Sequence, residues 1–269
     1  MSDSECTPVT SERIPFGIAV IGGPTTVVDV RGRRPIVDPT FDPPTDYGPL
    51  RKLHGPAVGE DLLGDVDIAL VSHDLHLDNL DVAGRAFALT APVLLTTASG
   101  AARLGAPAVA LRPWETWSDP TGSLRVTGTS ARHGPADGEL NDEGFVNCEV
   151  VGFVVQADGA PTVYISGDNA SLEVIREIHD RIGQVDYAVL FAGAAEVPTK
   201  FGGRPVSLTA ERAAAAAEVL GSPHVVVAHQ EDWQHFTQGP DATRAAFEAA
   251  GISERLCGAP RGHWCTAHN

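Results

Sequence analysis

Lysine is nearly absent from this chain. Lys52 and Lys200 are the only two in 269 residues, and arginine supplies the remaining basic groups. Against 35 acidic residues there are 19 Lys and Arg, giving a formal charge of −16. Such a surface repels a phosphate backbone, which argues against non-specific nucleic-acid binding. Cysteine is also scarce. Cys6, Cys148, Cys257 and Cys265 contain no Cys-x-x-Cys pair. Neither a disulfide framework nor a zinc knuckle is therefore expected, and all four thiols are read as reduced, with Cys148 a core candidate. No apolar run reaches the roughly 18 residues a membrane-spanning helix requires. The first six residues are polar and acidic, without the basic and apolar regions of a signal peptide, so a cytoplasmic location is expected. A Gly-x-Gly-x-x-Gly phosphate loop is missing around Gly22-Gly23, and Ser72, Ser99 and Ser166 lack the Gly-x-Ser-x-Gly setting of a serine nucleophile.

What is present is apolar material in short, punctuated runs. Hydrophobic residues make up 43% of the chain, enough for a sizeable core. Residues 1–13 read as a flexible N-terminal tail and 14–269 as a single domain without a linker. The runs at 16–21, 25–30 and 35–37 predict a β-meander, with Gly22-Gly23 as a hairpin turn. Residues 38–64 are rich in Pro, Gly and Asp and predict a long loop of functional importance. Strands are expected at 66–72, 93–96, 124–129, 149–156, 162–166, 185–191 and 224–228. Helices are expected at 79–89, 98–104, 171–182, 209–220 and 241–250, with Ser171 capping one of them.

The ten histidines carry the chemical signal. His73, His133 and His229 each follow a predicted strand, and Asp168 does the same. Strand ends on one edge of a sheet converge in space, so distant segments can build one site there. Imidazole and carboxylate held on rigid elements form a metal site. The densest segment is Ser72-His73-Asp74-Leu75-His76-Leu77-Asp78-Asn79-Leu80-Asp81.

That segment resembles the His-x-His-x-Asp-His motif of the metallo-β-lactamase superfamily. It is most similar to a branch related to the ascorbate-phosphate lactonase-like hydrolases. Ile21-Gly22-Gly23-Pro24-Thr25, Asp38-Pro39-Thr40-Phe41-Asp42-Pro43-Pro44, Arg132-His133-Gly134-Pro135, Ser166-Gly167-Asp168-Asn169, Phe191-Ala192-Gly193-Ala194, and His229 ahead of Trp233 and His235 extend the resemblance over roughly residues 16–256. It implies an α/β fold, a four-layer αββα sandwich, and a metal-dependent hydrolase acting on a small ester, lactone or phosphoester. It places His76, Asp78, His133, Asp168 and His229 on the metals, with Asp168 able to bridge two ions. Either His73 or Asp74 fills the remaining ligand position. The expectation is His73 near the metal, with Asp74 orienting a histidine ring. Asn79 replaces the motif's final histidine, which weakens the second metal position. Zn2+ is expected, as one or two ions, with Mn2+ or Fe open.

In this reading Asp78 orients the attacking water or accepts a proton from it, and His235 or His54 protonates the leaving group. The loops at 38–64, 134–147 and 193–206 form substrate walls, and Trp114, Trp117 and Trp233 offer apolar surface. The partner is a small molecule, with no nucleic acid and no membrane, and a homo-oligomer is possible. The alternative is a specialised non-hydrolytic member of the same fold, biosynthetic, di-iron redox or binding.

Overall fold

The computed structural model describes residues 6–221 and 224–266. The meander forms β1 (Phe16–Gly22), β2 (Thr25–Val30) and β3 (Pro35–Val37). Gly23 makes the first turn with φ of 51°. Residues 38–64 are more structured than the composition suggests. They hold a small ribbon, β4 (Thr45–Asp46) with β5 (Arg51–Lys52), and the short helix α1 (Glu60–Leu63). Then come β6 (Ile68–Leu70), α2 (Val82–Ala88), β7 (Val93–Thr96), α3 (Ala98–Leu104) and β8 (Ala108–Ala110). The second half holds β9 (Thr116–Ser118), β10 (Leu124–Thr129), β11 (Gly152–Ala157), β12 (Val163–Ile165), α4 (Leu172–Ile182), β13 (Tyr187–Phe191), α5 (Ala210–Leu220), β14 (His224–Ala228) and α6 (Pro240–Ala249).

Two six-stranded sheets result, ordered β1-β2-β3-β6-β7-β8 and β14-β13-β12-β11-β10-β9. Each sheet has an antiparallel half and a parallel half. Strand periodicity explains the layering, because successive side chains leave opposite faces. Ile68 and Leu70 of β6 enter the core between the sheets, while Ala69 and Val71 face the helices. Tyr187, Val189 and Phe191 of β13 point inward, while Ala188 and Leu190 meet α4, α5 and α6. Three apolar layers thus alternate with the sheets, and the fold is the expected αββα sandwich.

Several boundaries differ from expectation for local physical reasons. Helix α2 starts three residues late because the Asp81 carboxylate accepts the Gly84 N–H at 2.7 Å and caps it. Residues 79–81 thereby stay in the turn after β6. The same carboxylate accepts Phe41 N and Asp42 N, each at 2.9 Å, and pairs with buried Lys52 at 2.8 Å. One buried anion so ties the 38–64 segment to the motif. The expected tail is shorter than 1–13: Val9 is buried and donates to Gly262 O at 2.8 Å, and Arg13 pairs with Asp67 at 2.8 Å. Residues 1–5 of that tail lie outside the described residues. The reading of four reduced cysteines is corrected as well. Cys257 and Cys265 form a disulfide, and only Cys6 and Cys148 are free. The C-terminal segment runs back between the sheets, bonding Cys257 N to Val225 O and Cys265 N to Ile18 O. That path brings two cysteines eight positions apart together. No helix among the described residues is long and apolar enough to cross a membrane.

Candidate metal centre

The loops following β6, β10, β12 and β14 deliver His73, His133, Asp168 and His229 to one end of the sandwich. Two groups of donors form there. The first is His73, His76, His133 and Cys148; the second is Asp78, Asp168 and His229. Within each group the ligand atoms lie within 4.8 Å of one another.

In the first group three imidazoles converge nitrogen to nitrogen. His73 Nε2 lies 2.9 Å from His76 Nδ1, and His133 Nε2 lies 3.1 Å from the same atom. Three rings sharing so few protons make poor mutual hydrogen bonds but a good cradle for a cation. The outer nitrogens are fixed from behind. His133 Nδ1 donates to Val206 O at 2.9 Å. His73 Nδ1 sits 3.0 Å from Ser72 Oγ, which in turn donates to Asp38 Oδ2 at 2.6 Å. These partners place the proton on Nδ1 and leave Nε2 of both rings as a lone pair facing the cluster. Burial, reinforced by the neighbouring rings, drives His73 well below the usual histidine range and His133 down to about 3. Both rings are neutral and ready to ligate.

The second group is more telling. Both oxygens of Asp168 and both nitrogens of His229 are buried without a hydrogen-bond partner. His229 Nε2 comes within 3.3 Å of Asp168 Oδ1 and of Asp78 Oδ2, but is aligned to hydrogen-bond with neither. A buried carboxylate and imidazole left unpaired cost several kcal/mol, on the order of 1–3 for each group. Burial and the nearby Asp78 and Asp38 push Asp168 well above the usual carboxylate range. Burial acts the same way on Asp78, but His235 and His229 outweigh it and hold that carboxyl well below the range. A divalent cation fits this donor set, since it satisfies the orphaned atoms and relieves the repulsion between two buried carboxylates.

The backbone is shaped for this end. His229 itself adopts φ of 59°, unusual for a non-glycine residue. Its N–H bonds Gly23 O at 2.8 Å, in the turn between β1 and β2. Gly193 passes so close beneath that a Cβ there would run into the His229 carbonyl oxygen. These contacts hold the ring against Phe191, with which it stacks at a centroid distance of 5.3 Å.

The other sequence-predicted residues separate clearly. His235 joins the centre, its Nε2 lying 2.9 Å from Asp78 Oδ2. Asn79 is buried and donates from Nδ2 to Asp38 Oδ2 at 2.9 Å. Asp74 does not orient a histidine ring as expected. Its carboxylate is gripped at both oxygens by Arg103 of α3, at 2.8 and 2.5 Å, so it turns away from the donors. His54 lies outside both groups, is exposed, and approaches Asp232 at 3.4 Å. Trp233 does not present an apolar face to substrate. It is 2% exposed, stacked under Tyr47 and beside Lys52, and so backs the wall. Trp114 covers Arg181 of α4, and Trp117 packs against the inter-sheet core.

The profile of the β-lactamase superfamily domain matches residues 33–230. The chain belongs to this superfamily. Solved structures agree with it in fold. The chain is 20% identical to an isothiocyanate hydrolase from Delia radicum gut bacteria, covering 93% of this chain and 98% of that one, with a TM-score of 0.76. It is 16% identical to a possible metal-dependent hydrolase from Veillonella parvula, covering 93% and 98%, with a TM-score of 0.79. The di-iron β-hydroxylase CmlA from Streptomyces venezuelae is also 16% identical, covering 91% of this chain but 51% of that one, with a TM-score of 0.59. No curated protein matches by sequence.

Three residues at this end of the sandwich escaped the sequence reading. Asp38, with φ of 40°, accepts Ser72 N and Ser72 Oγ at 2.6 Å each, besides Asn79. Burial raises its carboxyl to about 7 against those hydrogen bonds. The Asp38-Pro39 pair signals a turn and gives no hint of this role. Cys148 closes on the three histidines from the segment ahead of β11, with burial pushing its thiol up to about 12. Lys200, exposed, lies close enough to bear electrostatically on His76 and Cys148 and reaches Asn147 Oδ1 at 3.4 Å. Its rarity in the sequence is the one signal that could have drawn attention to it.

Proposed function

We propose that the chain is a hydrolase of small molecules whose two donor groups hold two divalent cations. His73, His76 and His133 would hold the first ion, and Asp78, Asp168 and His229 would hold the second. The observation that carries this reading is the orphaned Asp168 carboxylate and His229 imidazole, buried beside three converging imidazoles. Zinc suits the nitrogen-rich position, and zinc, manganese or iron suits the oxygen-rich one.

Bound cations supply Lewis-acid chemistry, acidifying water and polarising the bond to be cleaved. The chain's own groups do the rest. Asp78, held ionised by His235 and His229, would orient the water or accept a proton from it. His235 hydrogen-bonds Asp78 through Nε2 and keeps its buried Nδ1 without a partner. As an imidazolium, with Nε2–H on Asp78, it would pass the Nδ1 proton to a leaving group. Asp38 and Ser72 keep His73 in one tautomer. Substrates of this reading carry an electrophilic carbon or phosphorus: an ester, a lactone, a phosphoester, or an isothiocyanate as in the Delia radicum gut-bacterial relative.

The test is a panel of chromogenic esters, lactones and phosphoesters with aryl and alkyl isothiocyanates. It is run on protein stripped by chelator and on protein reloaded with zinc or manganese. Hydrolysis of one class, lost on stripping and regained on reloading, is expected. Protein carrying two ions per chain that hydrolyses none of them contradicts the reading.

A further inference from the structure

The two donor groups differ in one respect that the superfamily motif does not explain. The first contains a sulfur, and the second contains none. Cys148 Sγ lies within 4.8 Å of the ligand nitrogens of His73, His76 and His133, on a half-buried residue in the segment leading into β11. It is a free thiol, since the disulfide takes Cys257 and Cys265 and Cys6 is exposed on the N-terminal segment. Three imidazole nitrogens and one sulfur within that radius match the donor number and type of a closed tetrahedral zinc site.

We propose that Cys148 is the fourth donor at the His73, His76 and His133 position, binding as thiolate and releasing its proton to solvent. This rests on the reading of the site as a metal centre. It divides the labour between the two positions. The first position would hold its ion with three nitrogens and a sulfur, and the second would hold its ion with Asp78, Asp168 and His229. The nitrogen-and-sulfur set selects a soft ion and disfavours manganese, whereas the oxygen-rich set accepts either.

Cobalt reports sulfur ligation directly. The folded chain, stripped with chelator and without reductant so that the disulfide persists, is titrated with Co2+, and cobalt per chain is measured alongside the absorption spectrum. A near-ultraviolet sulfur-to-cobalt charge-transfer band is expected in the wild type and absent in Cys148→Ser, with cobalt at that position bound at least about tenfold more weakly. Peptide mapping after iodoacetamide gives a second reading. Cys148 is labelled in the stripped protein and protected in the loaded one, while Cys6 is labelled in both. Cobalt bound with no sulfur band, and Cys148 equally labelled with and without metal, overturns the proposal and leaves the metal centre standing. A chain that takes up no cobalt at all overturns both.

Discussion

Replacing Ser72 with alanine separates the support of the metal centre from its donors. The hydroxyl donates to buried Asp38 at 2.6 Å and meets His73 Nδ1 at 3.0 Å. The first is a hydrogen bond to a carboxylate, worth about 1.5–3 kcal/mol net, and the second is neutral, worth about 0.5–1.5 kcal/mol. No water reaches this position easily, since Ser72, His73 and Asp38 are all fully buried. The metal-free variant should therefore lose about 2–4 kcal/mol of stability, read from urea unfolding at a pH above about 7, where Asp38 is ionised. Metal affinity should fall by about ten- to a hundredfold, because the His73 ring loses the partner that fixes its proton on Nδ1. Competition against a chromogenic chelator measures that directly. If stability falls while affinity stays within about twofold of wild type, Ser72 is only structural and His73 is not a donor held by it. If neither changes, the chain from Asp38 through Ser72 to His73 does not exist in solution.

Other expectations follow from the same contacts. His73→Ala should weaken metal binding far more than Asp74→Ala, because Asp74 is committed to Arg103; the reverse order in a chelator competition would place Asp74 on the metal. The Asp74→Ala change should cost about 1–3 kcal/mol of stability, since the Asp74 side chain is buried while Arg103 stays partly in water. Gly193→Ala should destabilise the fold by about 3 kcal/mol or more, because its Cβ meets the His229 carbonyl; an unchanged urea midpoint would show that these backbones do not touch. His133 titrates at about 3 when folded against 6.5 for a free ring. The unfolded chain binds the extra proton between those values, so the metal-free fold keeps this stability above 6.5 and loses it as pH falls toward 3. His133→Gln should show a smaller loss of stability than wild type between about pH 7 and about pH 5, and an equal loss would mean that the ring is not buried neutral. Asp38, raised to about 7, works in the opposite sense, stabilising the acid side.

The layered fold was legible in the apolar runs and turn signals that mark most of the strands and helices, and in the resemblance of the motif segments to the superfamily. Residues that follow strands could likewise be read as neighbours, and the structure brings His73, His133, Asp168 and His229 to one end. What escaped depends on contacts without a sequence spacing. Asp38 acts through a positive φ next to proline, a feature that reads only as a turn. Asp74 sits in the motif, but its direction is decided by Arg103, 29 positions away. The disulfide follows from the route of residues 253–265 between the sheets, which no cysteine spacing reveals. Trp233 looked like a substrate surface because aromatics beside histidines often are, yet Lys52 and Tyr47 cover it.

The central claim is that two donor groups hold two ions at one end of the sandwich. The direct measurement is elemental analysis of protein purified without added metal and then reloaded, reported as metal per chain, for wild type, His133→Ala and His229→Ala. The expected result is about two ions per chain in the wild type and about one in each variant, since each substitution removes one donor from a different group. Full metal content in both variants, or a wild type that holds none after reloading, would contradict the account.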